Sequence, residues 1–454
     1  MSDLNVSPDR EEYRLALILS SSGHVLVQTA EGPPQLPRLL VPASARPAAV
    51  ITEAIKTRWR LPAVLIDTVV ESPRAPLAIA RAWTSKSSQG DASSLHLKAR
   101  FTDLGLDQLS NEEQATLRQV LDEDAGERGP LSRLGWIDEA ARWLSSALQR
   151  NNLAFVVQQH NAGGRFALVR FEAEDGSAYW LKAVGPPNDK EFHITSYLAE
   201  RLPTFLPEII ASRGDWTAWL MKEHGRSMHE STDPKEFEQV SRRLAQMQLH
   251  LLGKTDQLLD VGCTDHRTST LRNAIDQIVS SLAFAMERQT VRTVPCLPTS
   301  RLEEIGTILR IACDNLDGLH IPDSLLHNDI SPGSVLKSGD HFVFTDWCEA
   351  YVGNPFLTFA LFCFYLRNSI ASAEAFIPRI ASAYNKSWIG LFAEHDIEVA
   401  SALAPPLSIL SHICGRGTWL RDYQQCRPEV LSYYRSLARH LDRSVRAPEF
   451  EAVL

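Results

Sequence analysis

The sequence supports an α+β chain of two or three domains, and three observations carry that reading. The 454 residues exceed the roughly 250 to 300 at which one hydrophobic core stops growing. Before about residue 148, apolar strand-like runs surround a helical stretch, as in a separate α+β unit. From Leu153 to Met221 the pattern is β-rich, and beyond it long helical periodicities run to the C-terminus around one embedded hairpin. The expected divisions are 1–148, 149–225 and 226–454.

Hydrophobic residues make up 44 % and charged residues 22 %, ordinary values that point to a globular chain rather than a disordered or fibrous one. A net charge of −9 argues against nucleic acid as the ligand, since phosphate backbones select basic surfaces. It would suit a cationic substrate, although solubility alone also explains it. The seven cysteines are odd in number and scattered, with no C-x-x-C spacing, and read as reduced thiols. No charged-then-apolar leader opens the chain, and no apolar run approaches about 18 residues, so a cytoplasmic protein without a membrane partner is expected. Leu361 to Leu366 (LFCFYL) reads as a buried helix segment.

In the first region, Tyr13–Leu19 and His24–Val27 flank Ser20-Ser21-Ser22-Gly23, a hairpin signal. A proline-rich connection leads to a helix over Pro47–Arg60 and a strand over Leu61–Val70. This order resembles a Nudix-type domain, whose helix carries several metal-binding glutamates. Here Thr52-Glu53 and Lys56-Thr57 stand at the corresponding places. A lone Glu53 beside Lys56 cannot assemble a multi-carboxylate magnesium site, so the resemblance implies a fold without hydrolysis. An unrelated α+β accessory domain fits the same pattern. A polar stretch, Thr84–Ser94, follows. Ser110-x-x-Glu113 then predicts a capping box opening a helix over Asn111–Asp122, and Trp136–Leu148 reads as a further amphipathic helix.

The second region reads as five strands. Phe155–Gln159 leads through Asn161-Ala162-Gly163-Gly164 into Phe166–Ala173, Asp175-Gly176 turns the chain, and Ala178–Val184 returns. Gly163 and Gly164 would let backbone amides approach phosphate oxygens, although a plain β-turn explains the pair equally. Lys182 lies inside an apolar strand, where an ammonium needs a partner, and Glu191 on the next predicted helix is the candidate. A snorkelling edge-strand lysine, and a glutamate capping with Asn188, are the structural alternatives. Pro207–Ala211 and Trp216–Met221 complete the sheet. Glu223 and His224 stand where a hinge would offer its main chain to an adenine edge.

The helical region contains the most informative stretch, Leu325 to Ala360. Gly339-Asp340 predicts a two-residue turn in which Leu336 faces Val343 and Ser334 faces Thr345. Ser334 and Asp346 then share the open end of the hairpin. Asp329, joined to Ser334 through Ser331-Pro332-Gly333, is held near both. An Asp, a hydroxyl and a second Asp at one spot suit in-line phosphoryl transfer from a magnesium nucleotide.

His327-Asn328-Asp329-Ile330-Ser331-Pro332-Gly333-Ser334-Val335-Leu336 and Phe344-Thr345-Asp346-Trp347 resemble the H-G-D-x-x-P-x-N-x-L and I-D-W motifs of the aminoglycoside phosphotransferase and choline kinase family. The resemblance covers about residues 150–454 and implies a bilobal protein-kinase-like fold, ATP or GTP with Mg2+ as cofactors, and a small-molecule hydroxyl acceptor. By position it implies that Asp329 orients or deprotonates the acceptor hydroxyl. Asp346 would ligate magnesium with Ser334, and Lys182, fixed by Glu191, would hold phosphates. His327 would secure the loop. Three positions depart from the family pattern: Ser334 replaces its metal-binding Asn, Asn354 its Asp in Gly-Asp-Pro, and Thr358 its Asp before Leu-Ala. Asn354 and Thr358 can still cap or brace a helix end. Ser334 is the shorter ligand, which leaves two expectations: an active ATP-dependent phosphotransferase, or an impaired nucleotide-binding module. No motif names the acceptor; Arg416, Trp419 and Arg421 could line its pocket or simply pack helices.

Overall fold

The computed structural model describes residues 10–19, 24–27, 35–43, 46–70, 75–83, 97–100, 109–122, 126–150, 154–291 and 293–454. The expected Ser20–Gly23 turn and the polar Thr84–Ser94 stretch lie outside them. The chain divides into two compact units, residues 1–192 with 208–223, and residues 193–207 with 224–454.

The first unit opens with strands β1 (Arg10–Leu19), β2 (His24–Val27) and β3 (Arg38–Pro42), helix α1 (Pro47–Trp59), and strands β4 (Ala63–Val69), β5 (Leu77–Ala82) and β6 (Leu97–Arg100). They form a six-stranded mixed sheet of order β4-β5-β1-β2-β6, with β3 also paired to β1. The apolar run of β1 is continuous because both faces are covered. Leu15, Leu17 and Leu19 pack with Ile51, Ile55 and Trp59 of α1. Ala16 and Ile18 point the other way, into a layer with Leu117 and Val120. Those two belong to α2 (Asn111–Leu121), which opens with the capping box expected at Ser110 and Glu113. Glu113 also binds Arg14 of β1 in a pair that is 0 % and 6 % exposed. The period-2 signal missed β3, β5 and β6: β3 lies in the proline-rich connection, and β5 (LAIARA) is buried along its whole length and so shows no alternation.

After α3 (Trp136–Ala147) come β7 (Phe155–Ala162), β8 (Ala167–Ala173), β9 (Ala178–Ala183), α4 (Lys190–Arg201), β10 (Ile209–Arg213) and β11 (Ala218–Lys222). All five strands form one antiparallel sheet, β10-β11-β9-β8-β7, with β9 in the middle. This sheet is fastened to the first one by Gln159. Its amide accepts from the Leu65 N–H at 2.7 Å and donates to the Leu65 carbonyl at 2.9 Å, where β4 carries an irregularity in its pairing.

The second unit contains β12 (Arg226–Ser227), α5 (Pro234–His250), α6 (Thr255–Asp260), β13 (Thr264–Asp265), α7 (Thr268–Glu287), α8 (Thr299–Gly318), β14 (Ser324–His327), β15 (Val335–Ser338), β16 (His341–Phe344), β17 (Ala350–Gly353), α9 (Phe356–Ser369), α10 (Ala373–Asn385), α11 (Glu394–Cys414), α12 (Thr418–Arg421), α13 (Pro428–Ser444) and α14 (Pro448–Glu451). One hairpin was expected among the helices. The structure has two small sheets, β12-β15-β16 and β13-β17-β14. Strands of two to four residues, several buried throughout, are too short to register as a period. By length and composition α11 could cross a membrane, with a mean hydropathy of 1.4 over 18 residues, yet 67 % of that window is buried within the protein.

Removing one member of a buried ion pair strands the other charge, at a cost of about 3–5 kcal/mol. Glu113→Ala is therefore expected to lower unfolding stability by about that much in a denaturant titration; a loss below about 1 kcal/mol would show that Arg14 finds another partner.

Candidate active site

The site is built on β14, whose four residues are all buried. Its backbone is satisfied on both sides. Leu325 and His327 pair with Val352 and Ala350 of β17. The buried Gln248 amide donates to the carbonyls of Leu325 (3.3 Å) and Pro355 (3.0 Å), and the Tyr384 hydroxyl donates to Gln248 Oε1 at 2.7 Å. Thr358, standing where the family pattern has Asp, accepts the His327 N–H at 3.0 Å. Asn354 Oδ1 accepts from Phe356 N at 3.1 Å and so caps α9. Both departures from the motif keep a structural task.

The His327 ring ties the loop ahead of the hairpin to the residue that follows it. Nε2 lies 2.8 Å from the Thr345 carbonyl, which can only accept, so Nε2 carries the proton. Nδ1 is then free to accept the Asp329 N–H at 3.3 Å. The ring packs against buried Trp347 at 4.6 Å between centroids. This histidine has both nitrogens engaged in holding the loop.

The register of the hairpin is the expected one, with Leu336 opposite Val343 and Ser338 opposite His341. At its open end the Ser334 carbonyl accepts from Thr345 N–H at 3.0 Å. Asp346 follows in a left-handed conformation (φ 65°, ψ 56°), uncommon outside glycine and tolerated best by Asn and Asp. Solvent reaches Asp329 and Asp346. Dense protein around Asp329 nevertheless raises its pKa above the ordinary aspartate range; His327 and Arg416 oppose the rise, and the Asp346 charge adds to it. The two carboxylates are thus close enough to feel one another.

Ser334 is 3 % exposed and its hydroxyl is spent inside the loop. It donates to the Ser331 carbonyl at 2.9 Å and accepts the Ser331 N–H at 3.0 Å, while Ser331 Oγ accepts from Gly333 N–H. Among the described residues, no three His, Cys, Asp or Glu side chains gather as a metal site. Magnesium needs no such cage, since one or two carboxylates with nucleotide phosphates and water suffice. Asp346 fits that donor set; the Ser334 hydroxyl, buried and engaged, does not fit as a direct ligand.

In the first unit, Lys182 Nζ lies 2.6 Å from Glu191 Oε1, and Glu191 is 2 % exposed. Because β9 is the central strand, the edge-strand alternative for Lys182 falls away. Glu223 is held by its side chain. Arg170 donates to Oε1 at 2.6 Å, Trp180 Nε1 to the same oxygen at 3.2 Å, and these bonds lower its pKa. Its N–H is committed to the Ala178 carbonyl, and so is not open to an adenine edge. His224 is half-buried, and among the described residues its Nε2 has no hydrogen-bond partner.

Gly163 and Gly164 make the expected turn, with Phe166 N–H bonded to the Gly163 carbonyl. Their surroundings differ. A Cβ on Gly164 would lie 1.9 Å from the Arg128 carbonyl oxygen, and the Gly164 carbonyl accepts from Leu131 N–H. Arg128 in turn is paired with Asp67 of β4. Close approach of the Arg128–Leu131 backbone accounts for glycine at 164.

Beside the loop from His327 to Asp346 stands a group that the sequence motifs do not assign. Glu349 Oε2 accepts from Asn328 Nδ2 at 3.3 Å and from Arg416 Nη2 at 2.8 Å. Gly415 lets the α11 terminus reach the loop, since a Cβ there would lie 2.4 Å from the Tyr351 hydroxyl. In sequence Arg416 reads first as a helix-packing residue and second as a pocket residue; its long-range partner, Glu349, carries no signal in sequence beyond following Asp346 by three residues. Arg421 is exposed, and the Trp419 side chain lies outside the described residues.

The glycine turn yields a direct test. Gly164→Ala should lower the melting temperature markedly, whereas Gly163→Ala, whose new Cβ would meet only Phe166 atoms at 3.6 Å or more, should be tolerated. Equal effects would sink the packing account.

No family model and no curated protein matches the chain. Solved structures do. A choline/ethanolamine kinase family protein from Mesorhizobium loti matches at a TM-score of 0.44 and 13 % identity, over 69 % of this chain and 96 % of that one. The ethanolamine kinase of Plasmodium vivax gives 0.45 and 12 %, over 66 % and 84 %. A macrolide 2'-phosphotransferase from Brachybacterium faecium gives 0.40 and 15 %, over 66 % and 98 %. Likeness this distant assigns no family, and the chemistry rests on the residues themselves.

Proposed function

We propose that this protein is a nucleotide-dependent phosphotransferase that moves the γ-phosphoryl group of ATP or GTP onto a hydroxyl of a small molecule. The observation that carries the reading is the closed loop from His327 to Asp346, which presents two solvent-reached carboxylates on one rigid frame. Asp329 accepts the proton of the attacking hydroxyl and orients its oxygen toward phosphorus. Its raised pKa makes it a stronger base than a free aspartate. His327 keeps the loop in place through both ring nitrogens, and Ser334 closes the loop beneath Asp329. Lys182, aligned by Glu191, supplies a fixed positive charge for nucleotide phosphates. Asp346 would hold magnesium, which neutralises charge on the phosphoryl oxygens when bound.

The Ser334 geometry also favours a second reading, a nucleotide-binding module with little transfer, because a metal held by one carboxylate has less protein support. Turnover decides between them: magnesium-dependent ATP consumption against a panel of hydroxylated acceptors supports the enzyme, and nucleotide binding without turnover of any acceptor supports the module.

For an active enzyme, Asp329→Asn should lower kcat by about 10²–10⁴-fold while nucleotide affinity stays within about twofold. The wild-type rate should fall as pH drops, because the base works as carboxylate, with a midpoint above the ordinary aspartate range. A flat acid limb would argue against Asp329 as base. Ser334→Ala should reduce kcat through a looser loop yet leave the magnesium concentration for half-maximal rate unchanged; a large shift in that concentration would make Ser334 a ligand after all.

A further inference from the structure

Resting on the phosphotransfer reading, the groups around Asp329 say what kind of molecule brings the hydroxyl. Arg416 has donors only. Its Nε points to the His412 carbonyl at 3.3 Å, and its Nη2 serves Glu349 Oε2 at 2.8 Å and His412 Nδ1 at 3.2 Å. His412 Nδ1 must therefore accept. The ring is 1 % exposed, and burial together with the Arg416 charge pushes its pKa down to about 3 against a hydrogen bond to the Asn328 carbonyl, so it is neutral; with Nδ1 facing the Arg416 donor, the proton sits on Nε2. Nε2 lies 2.6 Å from the Tyr433 hydroxyl oxygen, which is thereby the acceptor of that bond. The hydrogen of the Tyr433 hydroxyl is left over, on a residue that is 37 % exposed.

Two more donors stand with it. Tyr365 sets its ring edge-on to His412, 6.2 Å between centroids, and among the described residues its hydroxyl makes no hydrogen bond. Arg416 Nη1 likewise has no hydrogen bond among them. The link to the reacting loop is direct, since Glu349 Oε2 joins Arg416 to Asn328, the neighbour of Asp329. The Asp329 charge also contributes to raising the pKa of Tyr365 and Tyr433. Three open donors thus lie within electrostatic reach of one carboxylate whose own task is to accept a hydroxyl proton. The Glu349 charge is answered by Arg416 and offers little to a cation.

We infer that the acceptor molecule carries an oxyanion, a carboxylate or a phosphate, held by Arg416, Tyr433 and Tyr365 while its hydroxyl meets Asp329. The chain's overall acidity invites an amino-alcohol instead, but a net charge acts at long range and is screened, whereas an ammonium placed here would face donors.

Isothermal titration of the full chain with glycerate, glycerol 3-phosphate, ethanolamine and choline, without nucleotide, tests this. At least one anionic probe should bind about tenfold or more tightly than either amine, and which one binds separates carboxylate from phosphate. Tyr433→Phe, which keeps the ring, should weaken that probe about tenfold with the melting temperature little changed. Tyr365→Phe should weaken it too. Amines binding as tightly as the anions, no anionic probe binding, or both tyrosine variants binding like wild type would each overturn the assignment. If no probe is phosphorylated but anion binding remains tyrosine-dependent, the acceptor assignment stands and the phosphotransfer reading fails.

Discussion

Burying a polar backbone without partners is the constraint on which this site depends. Most of the segment from Ser324 to Ser334 is buried in the helical unit, and its turns there remove amides and carbonyls from water. Gln248, Thr358, Ser331, Ser334 and His327 each answer one or two of those groups. The result is a loop with little freedom to rearrange, carrying two carboxylates that solvent can still reach. Rigid presentation of that kind is what a positioned base requires.

The same accounting changes how the motif departures are understood. In sequence, Asn354 and Thr358 are expected still to cap or brace a helix end, and Ser334 is the departure that bears on the metal. In the folded protein, Asn354 caps α9 and Thr358 accepts the His327 amide. Only Ser334 has turned from solvent toward its own loop. Under the proposed function, metal binding would rest on Asp346 and on the nucleotide rather than on Ser334.

In the first unit, the N-terminal sheet is part of the architecture that holds the lysine-bearing sheet. Gln159 bonds both backbone groups of Leu65, and the Arg128–Leu131 segment presses on Gly164 while Arg128 is paired with Asp67. A turn whose glycine meets a carbonyl at van der Waals limits has a packing role of its own.

Much of the fold was legible from local signals. The hairpin register followed from Gly339-Asp340, the α2 cap from Ser110 and Glu113, and the five-strand sheet from alternation bounded by turns, because each is decided within a few residues. The candidate site was legible where its residues are contiguous, as at Asp329 and Asp346. What local pattern could not reach was set by contacts distant in sequence. The centrality of β9 around Lys182, the carbonyl that dictates Gly164, the pairing of Glu349 with Arg416 across 67 positions, and the contact of His412 with Tyr433 all depend on partners with no fixed spacing. The order of residues dictates which chemical groups the loop carries; long-range packing dictates which of them stay open to a ligand, because a hydrogen bond spent inside the fold is no longer available outside it.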